Sequence, residues 1–132
     1  MSSINFSSLI SEFPEERDAV ARLENLLRDA SARHVDSANG DVLPEWTIQR
    51  LYQVSHPSSQ RALARILTRL VEKGVLRQIV RVESDTHGGI GDYDSILEIP
   101  ETMYDQFLGR DIDVRMDQVK TVYSLRNTLH VE

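Results

Sequence analysis

The chain of 132 residues contains no cysteine. Disulfides, thiolate zinc sites, iron–sulfur clusters and cysteine nucleophiles are excluded together. Aromatic residues make up only 6%, with a single tryptophan, too few to line a large aromatic pocket. No uncharged apolar stretch approaches the ~20 residues of a membrane span, and Met1-Ser2-Ser3-Ile4-Asn5-Phe6 lacks the basic start and apolar run of a secretion leader. A cytoplasmic protein with no membrane partner is the expectation. What is present, 40% hydrophobic and 27% charged residues, suits one globular domain with an ordinary core. Fifteen Lys and Arg stand against 21 Asp and Glu, a formal net charge of −6. Such a balance argues against a surface that coats nucleic acid indiscriminately, and leaves a local basic face open.

The charge is unevenly distributed. Residues 1–49 carry four basic residues against nine acids, and residues 82–132 carry four against eleven. Between them, Arg50, Arg61, Arg65, Arg69, Lys73, Arg77 and Arg81 face the single acid Glu72. A positive block lies between two negative ones.

Hydrophobic spacing assigns the elements. Phe6, Leu9, Ile10 and Phe13 follow helical spacing, which predicts a short amphipathic segment over residues 1–13. Pro14 suits a first helical position, and Glu15, Glu16 and Asp18 favour the positive end of a helix dipole. A helix is expected from there to about Arg33, with Ala19, Val20, Leu23 and Leu27 on its buried stripe. Loop residues including Asn39-Gly40 precede a short extended Asp41-Val42-Leu43, and Pro44-Glu45 is expected to open a second helix with Trp46 and Tyr52 in the core. Pro57 breaks that helix, and Ser55 or Ser58 is the expected cap of a third over residues 60–73, which Gly74 stops. Alternation then predicts a strand over residues 75–82 and its partner over Ser95-Ile96-Leu97-Glu98-Ile99, joined by the glycine-rich residues 84–92. A short helix over residues 101–108 and final strands at residues 112–114 and 119–125 complete the expected order.

A helix, a short extended segment, two further helices about a tight turn, and a two-stranded hairpin together resemble the winged helix-turn-helix domain over residues 14–100. The most telling stretch is Leu63-Ala64-Arg65-Ile66-Leu67-Thr68-Arg69-Leu70-Val71-Glu72-Lys73-Gly74-Val75-Leu76, which is similar to a winged-helix recognition helix entering its first wing strand. The resemblance implies an α+β fold of three helices and a β-hairpin wing, with residues 1–13 and 101–132 as extensions. It implies a function less narrowly, because winged helices bind DNA, RNA or protein. Small acidic winged-helix accessory subunits of multi-component bacterial systems, including anti-phage ones, are similar in size and in having strands after the wing.

At about 100° per residue, Leu63, Ile66, Leu67, Leu70 and Val71 share the buried side of the third helix, while Ser58, Arg61, Arg65, Thr68, Arg69 and Glu72 share the far side. Arginine can grip guanine or phosphate, and Ser58, Ser59 and Gln60 at the helix start add polar groups. The leading expectation is therefore a non-enzymatic module binding duplex DNA through Ser58, Ser59, Gln60, Arg61, Arg65, Thr68 and Arg69, as a transcription regulator or a DNA-sensing accessory subunit. The wing opposes this, because Glu83, Asp85, Asp92 and Asp94 would repel a polyanion. The alternative is a protein–protein adaptor subunit docking through Asp85, Asp92 and Asp94 and through Phe6, Leu9 and Ile10, although these apolar residues can equally pack on the domain's own core. A homodimer through residues 3–13 or 101–132 is a further possibility.

No enzyme motif is present. His34, His56, His87 and His130 lack metal-site spacing or a nucleophile turn. Asp85, His87, Asp92 and Asp94 are the best metal candidates, yet Asp and Gly at a hairpin tip are ordinary turn residues. Gly88-Gly89-Ile90-Gly91 lacks the lysine and following helix of a phosphate loop. No catalytic residue, metal or cofactor is expected.

Overall fold

The computed structural model describes residues 6–36, 44–86 and 88–126. The fold is α+β, with four α-helices, a four-stranded sheet and a separate two-stranded sheet among the described residues. Two compact units divide the chain: Met1–Arg77 with Tyr123–Glu132, and Gln78–Val122.

In the first unit, α1 (Phe6–Glu12) is followed by a 3-10 turn (Pro14–Glu16) and by α2 (Arg17–Asp36). The spacing that predicts α2 also predicts its contacts: Val20, Leu23 and Leu27 are buried. Phe6 and Leu9 anchor α1 in the same cluster, and the Arg28 guanidinium lies 5.7 Å from the centre of the Phe6 ring. The segment Asp41-Val42-Leu43 and the Asn39-Gly40 turn fall outside the described residues.

Pro44-Glu45 does not open a helix. Glu45–Thr47 is the short strand β1, and α3 (Ile48–Ser55) begins after Thr47, whose hydroxyl accepts from the Arg50 backbone N–H at 3.2 Å. An aromatic and a β-branched residue favour the extended backbone, and the threonine then satisfies an orphan donor of the helix. Trp46 is partly buried against the core, but Tyr52, expected inside, is 37% exposed. His56 ends α3 in the left-handed conformation, φ 50° and ψ 58°.

The next helix, α4 (Gln60–Glu72), is capped by Ser59, whose hydroxyl accepts from the Ala62 backbone N–H at 3.0 Å. Neither Ser55 nor Ser58 serves as that cap. Ser55 is fully buried and donates to the Leu51 carbonyl at 2.7 Å, while Ser58 binds Glu16. Leu63, Ile66, Leu67 and Leu70 are all buried, as the wheel requires. Each such burial contributes about 1.5–3 kcal/mol relative to exposure. Gly74 follows at φ +76°, and the Val75 N–H reaches back to the Leu70 carbonyl at 2.9 Å, a glycine-dependent helix end.

The larger sheet has the order β1-β6-β2-β3, with β2 (Leu76–Glu83), β3 (Gly89–Tyr93) and β6 (Val119–Leu125). The partner of β2 is thus Gly89–Tyr93 rather than residues 95–99. Val80 pairs with Tyr93 and Arg81 with Asp92, antiparallel, with an irregularity between Val82 and Glu83. Glycine is tolerated in β3 because the backbone is approached closely there: a Cβ on Gly91 would lie 2.7 Å from the Met103 terminal methyl carbon. Ser95 instead caps a 3-10 turn, Ile96–Glu98, accepting from the Leu97 N–H at 3.1 Å.

Residues 101–108 form no helix. They carry β4 (Thr102–Asp105), which pairs antiparallel with β5 (Arg110–Asp113). Asp105 is fully buried, and its carboxylate accepts from Ser84 Oγ at 2.8 Å and from the backbone N–H groups of Phe107 and Leu108 at 2.8 and 3.1 Å. A carboxylate so bonded fixes the turn that a helix would otherwise occupy. Of the expected final pair of strands, β6 lies at its expected residues, while β5 covers Arg110–Asp113 rather than residues 112–114 and pairs with β4 instead of β6.

Candidate nucleic-acid interface

The α4 helix presents its polar face as the wheel requires: Arg61, Arg65 and Thr68 are exposed, and Arg69 is half-buried. The candidates on it nevertheless differ in availability. Arg69 donates from Nε to Glu12 Oε1 at 3.1 Å and from one terminal nitrogen to Glu72 at 2.7 Å, and its other terminal nitrogen lies 2.9 Å from Glu12. These acceptors raise the Arg69 pKa, through its bond to Glu72 first and then that to Glu12. Lys73 Nζ lies 4.0 Å from the other Glu12 oxygen. Thr68 donates to the Ala64 carbonyl of its own helix at 2.8 Å.

Ser58 and Ser59, expected to touch nucleic acid, have structural duties. Both the Ser58 hydroxyl and its backbone N–H donate to the carboxylate of Glu16, a residue only 8% exposed, the N–H at 3.2 Å from one oxygen and 3.4 Å from the other. That contact ties the 3-10 turn to the corner between α3 and α4, and Ser59 is consumed as the cap of α4. Arg61 and Arg65 remain. Both are exposed, they lie four residues apart and therefore about one turn apart on α4, and neither has an ion pair or side-chain hydrogen bond among the described residues. They line an open cleft with Phe13, Ala64, Thr68 and Arg69.

A second cleft adjoins the start of α4, lined by Ile48, Gln49, Tyr52, Gln53, Gln60 and Leu63. It joins Gln60 to two α3 glutamines and an exposed tyrosine that the sequence reading did not select. The signal was available: Gln49, Tyr52 and Gln53 recur at helical spacing, opposite the buried Leu51 and Ser55.

The acidic and apolar candidates of the docking alternative are engaged elsewhere. Phe6 and Leu9 are 3% and 1% exposed within the core, and Ile10 packs against it. Arg81 grips Asp92 in a two-point bond of 2.7 and 3.0 Å, with its pairing register placing the two opposite each other. Asp85 accepts from Arg115 at 2.6 Å, which raises the Arg115 pKa together with the bond that Arg115 donates to Asp117. Asp94 is exposed, and its backbone N–H donates to Glu98 at 3.1 Å. His87 and His130 fall outside the described residues, and among the described residues no group of three or more His, Asp or Glu could hold a metal ion. No described helix is long and apolar enough to cross a membrane.

No protein-family model, curated protein or solved structure matches this chain.

Proposed function

We propose that the chain is a non-enzymatic winged-helix binding module that lays α4 along duplex DNA, as a transcription regulator or a DNA-sensing accessory subunit. The observation that carries this reading is the pair Arg61 and Arg65, exposed and unengaged among the described residues, while Arg69 of the same helix is bound to Glu12 of α1 and to Glu72. The order α2, β1, α3, α4, β2, β3 supports the winged-helix assignment, with β2 and β3 as the wing. Arg61 and Arg65 supply phosphate or guanine contacts, and Gln60, Gln49 and Gln53 supply amides suited to base edges or backbone. The carboxylates of Asp85 and Asp92 are paired with arginines, which softens the repulsion that the wing would otherwise exert.

The test is duplex binding as a function of salt. Two phosphate contacts give a log–log slope of about −1.8, and the Arg61→Ala, Arg65→Ala variant loses that contribution. A folded wild-type protein that binds no duplex at low salt overturns the reading.

A second reading, a protein adaptor, is favoured by a different observation. The unit Gln78–Val122 carries ten acids against four basic residues and exposes Leu97 at 95%, Met116 at 68% and Tyr104 at 61%. A partner recovered in stoichiometric amount from the native host, and released by Leu97→Asp or Tyr104→Asp, supports it. Elution of the protein alone counts against it.

A further inference from the structure

Four basic residues lie along α4 and its end, Arg61, Arg65, Arg69 and Lys73, but acids occupy the last two. The placement of those acids is unusual for helix stability. Glu12 is the last residue of α1 and Glu72 the last of α4. A carboxylate at a helix C-terminus is disfavoured by the helix dipole, whereas Arg69 and Lys73, near the C-terminus of α4, are favoured there without any acid. The i,i+3 pair of Arg69 and Glu72 returns only about 0.2–0.5 kcal/mol to α4, and Glu12, on another helix and 37% exposed, is explained by neither local helix energetics nor core packing. What they do is remove two cations from the face that Arg61 and Arg65 share.

We propose that Glu12, with Glu72, is a specificity determinant of the nucleic-acid face: it masks Arg69 and Lys73, so that Arg61 and Arg65 alone meet phosphate or base. The inference rests on the DNA-binding reading. Indiscriminate affinity grows with the number of phosphates neutralised, whereas base contacts discriminate. Holding the count at two keeps non-specific binding weak and leaves discrimination to base contacts near the start of α4. The Glu12 contact to Arg69 spans 57 residues of sequence, so the mask is set by the packing of α1 beside α4.

The experiment compares the full chain with the Glu12→Gln, Glu72→Gln variant on a random-sequence duplex, with helix content and thermal midpoint followed in parallel. Two unmasked cations steepen the salt slope by about 1.8, so the affinity ratio of variant to wild type grows about twelvefold between about 0.2 M and about 0.05 M salt. Glu15→Gln is the control, since it removes one exposed acid that has no partner among the described residues. Lys73→Gln should leave the wild-type affinity unchanged and lower that of the double variant. This contrast reads masking even if the double variant loses some stability. Binding by the wild type with an unchanged slope in the double variant overturns the mask while leaving the DNA reading intact. An equal effect from Glu15→Gln also overturns it, because net charge then suffices. Duplex binding at low salt by the double variant but not by the folded wild type overturns the DNA reading and the mask with it, because the two freed cations then create an affinity that the native face lacks. Absence of binding by both, with folding retained, overturns the DNA reading and the mask together.

Discussion

Replacing Glu16 by alanine tests whether the α3–α4 corner is held from the 3-10 turn. The carboxylate is buried, accepting from the Ser58 hydroxyl and backbone N–H across 42 residues of sequence. A hydrogen bond to a charged group contributes about 1.5–3 kcal/mol, so two such bonds set an upper bound of about 3–6 kcal/mol. Two terms reduce it. Releasing the glutamate side chain recovers up to about 2 kcal/mol of rotamer entropy, and Ser58 is exposed enough for water to replace part of what it loses. The net expectation is about 1–3 kcal/mol of destabilisation in urea unfolding, with the slope unchanged. Ser58→Ala should cost less, because its backbone N–H keeps the carboxylate. The double variant should fall short of the sum of the single ones by about 0.5 kcal/mol or more, the mark of a direct contact. Duplex binding, measured where all variants are folded, should be the same for Ser58→Ala as for wild type. Additive effects on stability would refute the contact. Loss of binding without loss of stability would return Ser58 to the nucleic-acid face.

Two further outcomes follow from the same unit. Gly74→Ala meets no atom within 4 Å, yet the residue sits at φ +76°, so strain alone should cost about 1–2 kcal/mol, and an unchanged urea midpoint would contradict that backbone assignment. Burial raises the Tyr123 pKa above its ordinary value. The unfolded chain therefore ionises first, and the contribution to stability is complete below about pH 10, then fades as the pH climbs through the raised folded value. Phenolate absorbance should show one late-titrating tyrosine that Tyr123→Phe removes, and the variant should lose less stability than wild type in that alkaline window.

Where local signals agree, the sequence carried the architecture. The leucine stripe of α4, the Gly74 stop and the stripe of α2 needed only a 3.6-residue period and a left-handed glycine, both properties of neighbouring residues. Local signals failed where a remote partner intervened. The start of α3 is a different case, a choice between two local signals in which the Thr47 cap prevailed over Pro44. The glycines of residues 88–91 read as a turn, but a strand forms there because β2 offers it a register and Met103 fills the space a side chain would take. Residues 101–108 have helical spacing enough to suggest a helix, and Asp105, held by Ser84 from 21 residues away, makes a hairpin instead.

The candidate site divides in the same way. Composition and periodicity by themselves determined that a basic face exists, that it lies on α4, and that Arg61 and Arg65 belong to it, because the angle between residues on a helix depends on nothing outside that helix. Only the tertiary structure decided which of those cations are free. An arginine's availability depends on carboxylates within about 4 Å, and those carboxylates come from α1 as well as from α4 itself. It also turned the serines from candidate contacts into a cap and a clasp, and brought Gln49, Tyr52 and Gln53 beside Gln60. Packing between elements, which no period encodes, converted a row of like charges into one open pair and one closed one.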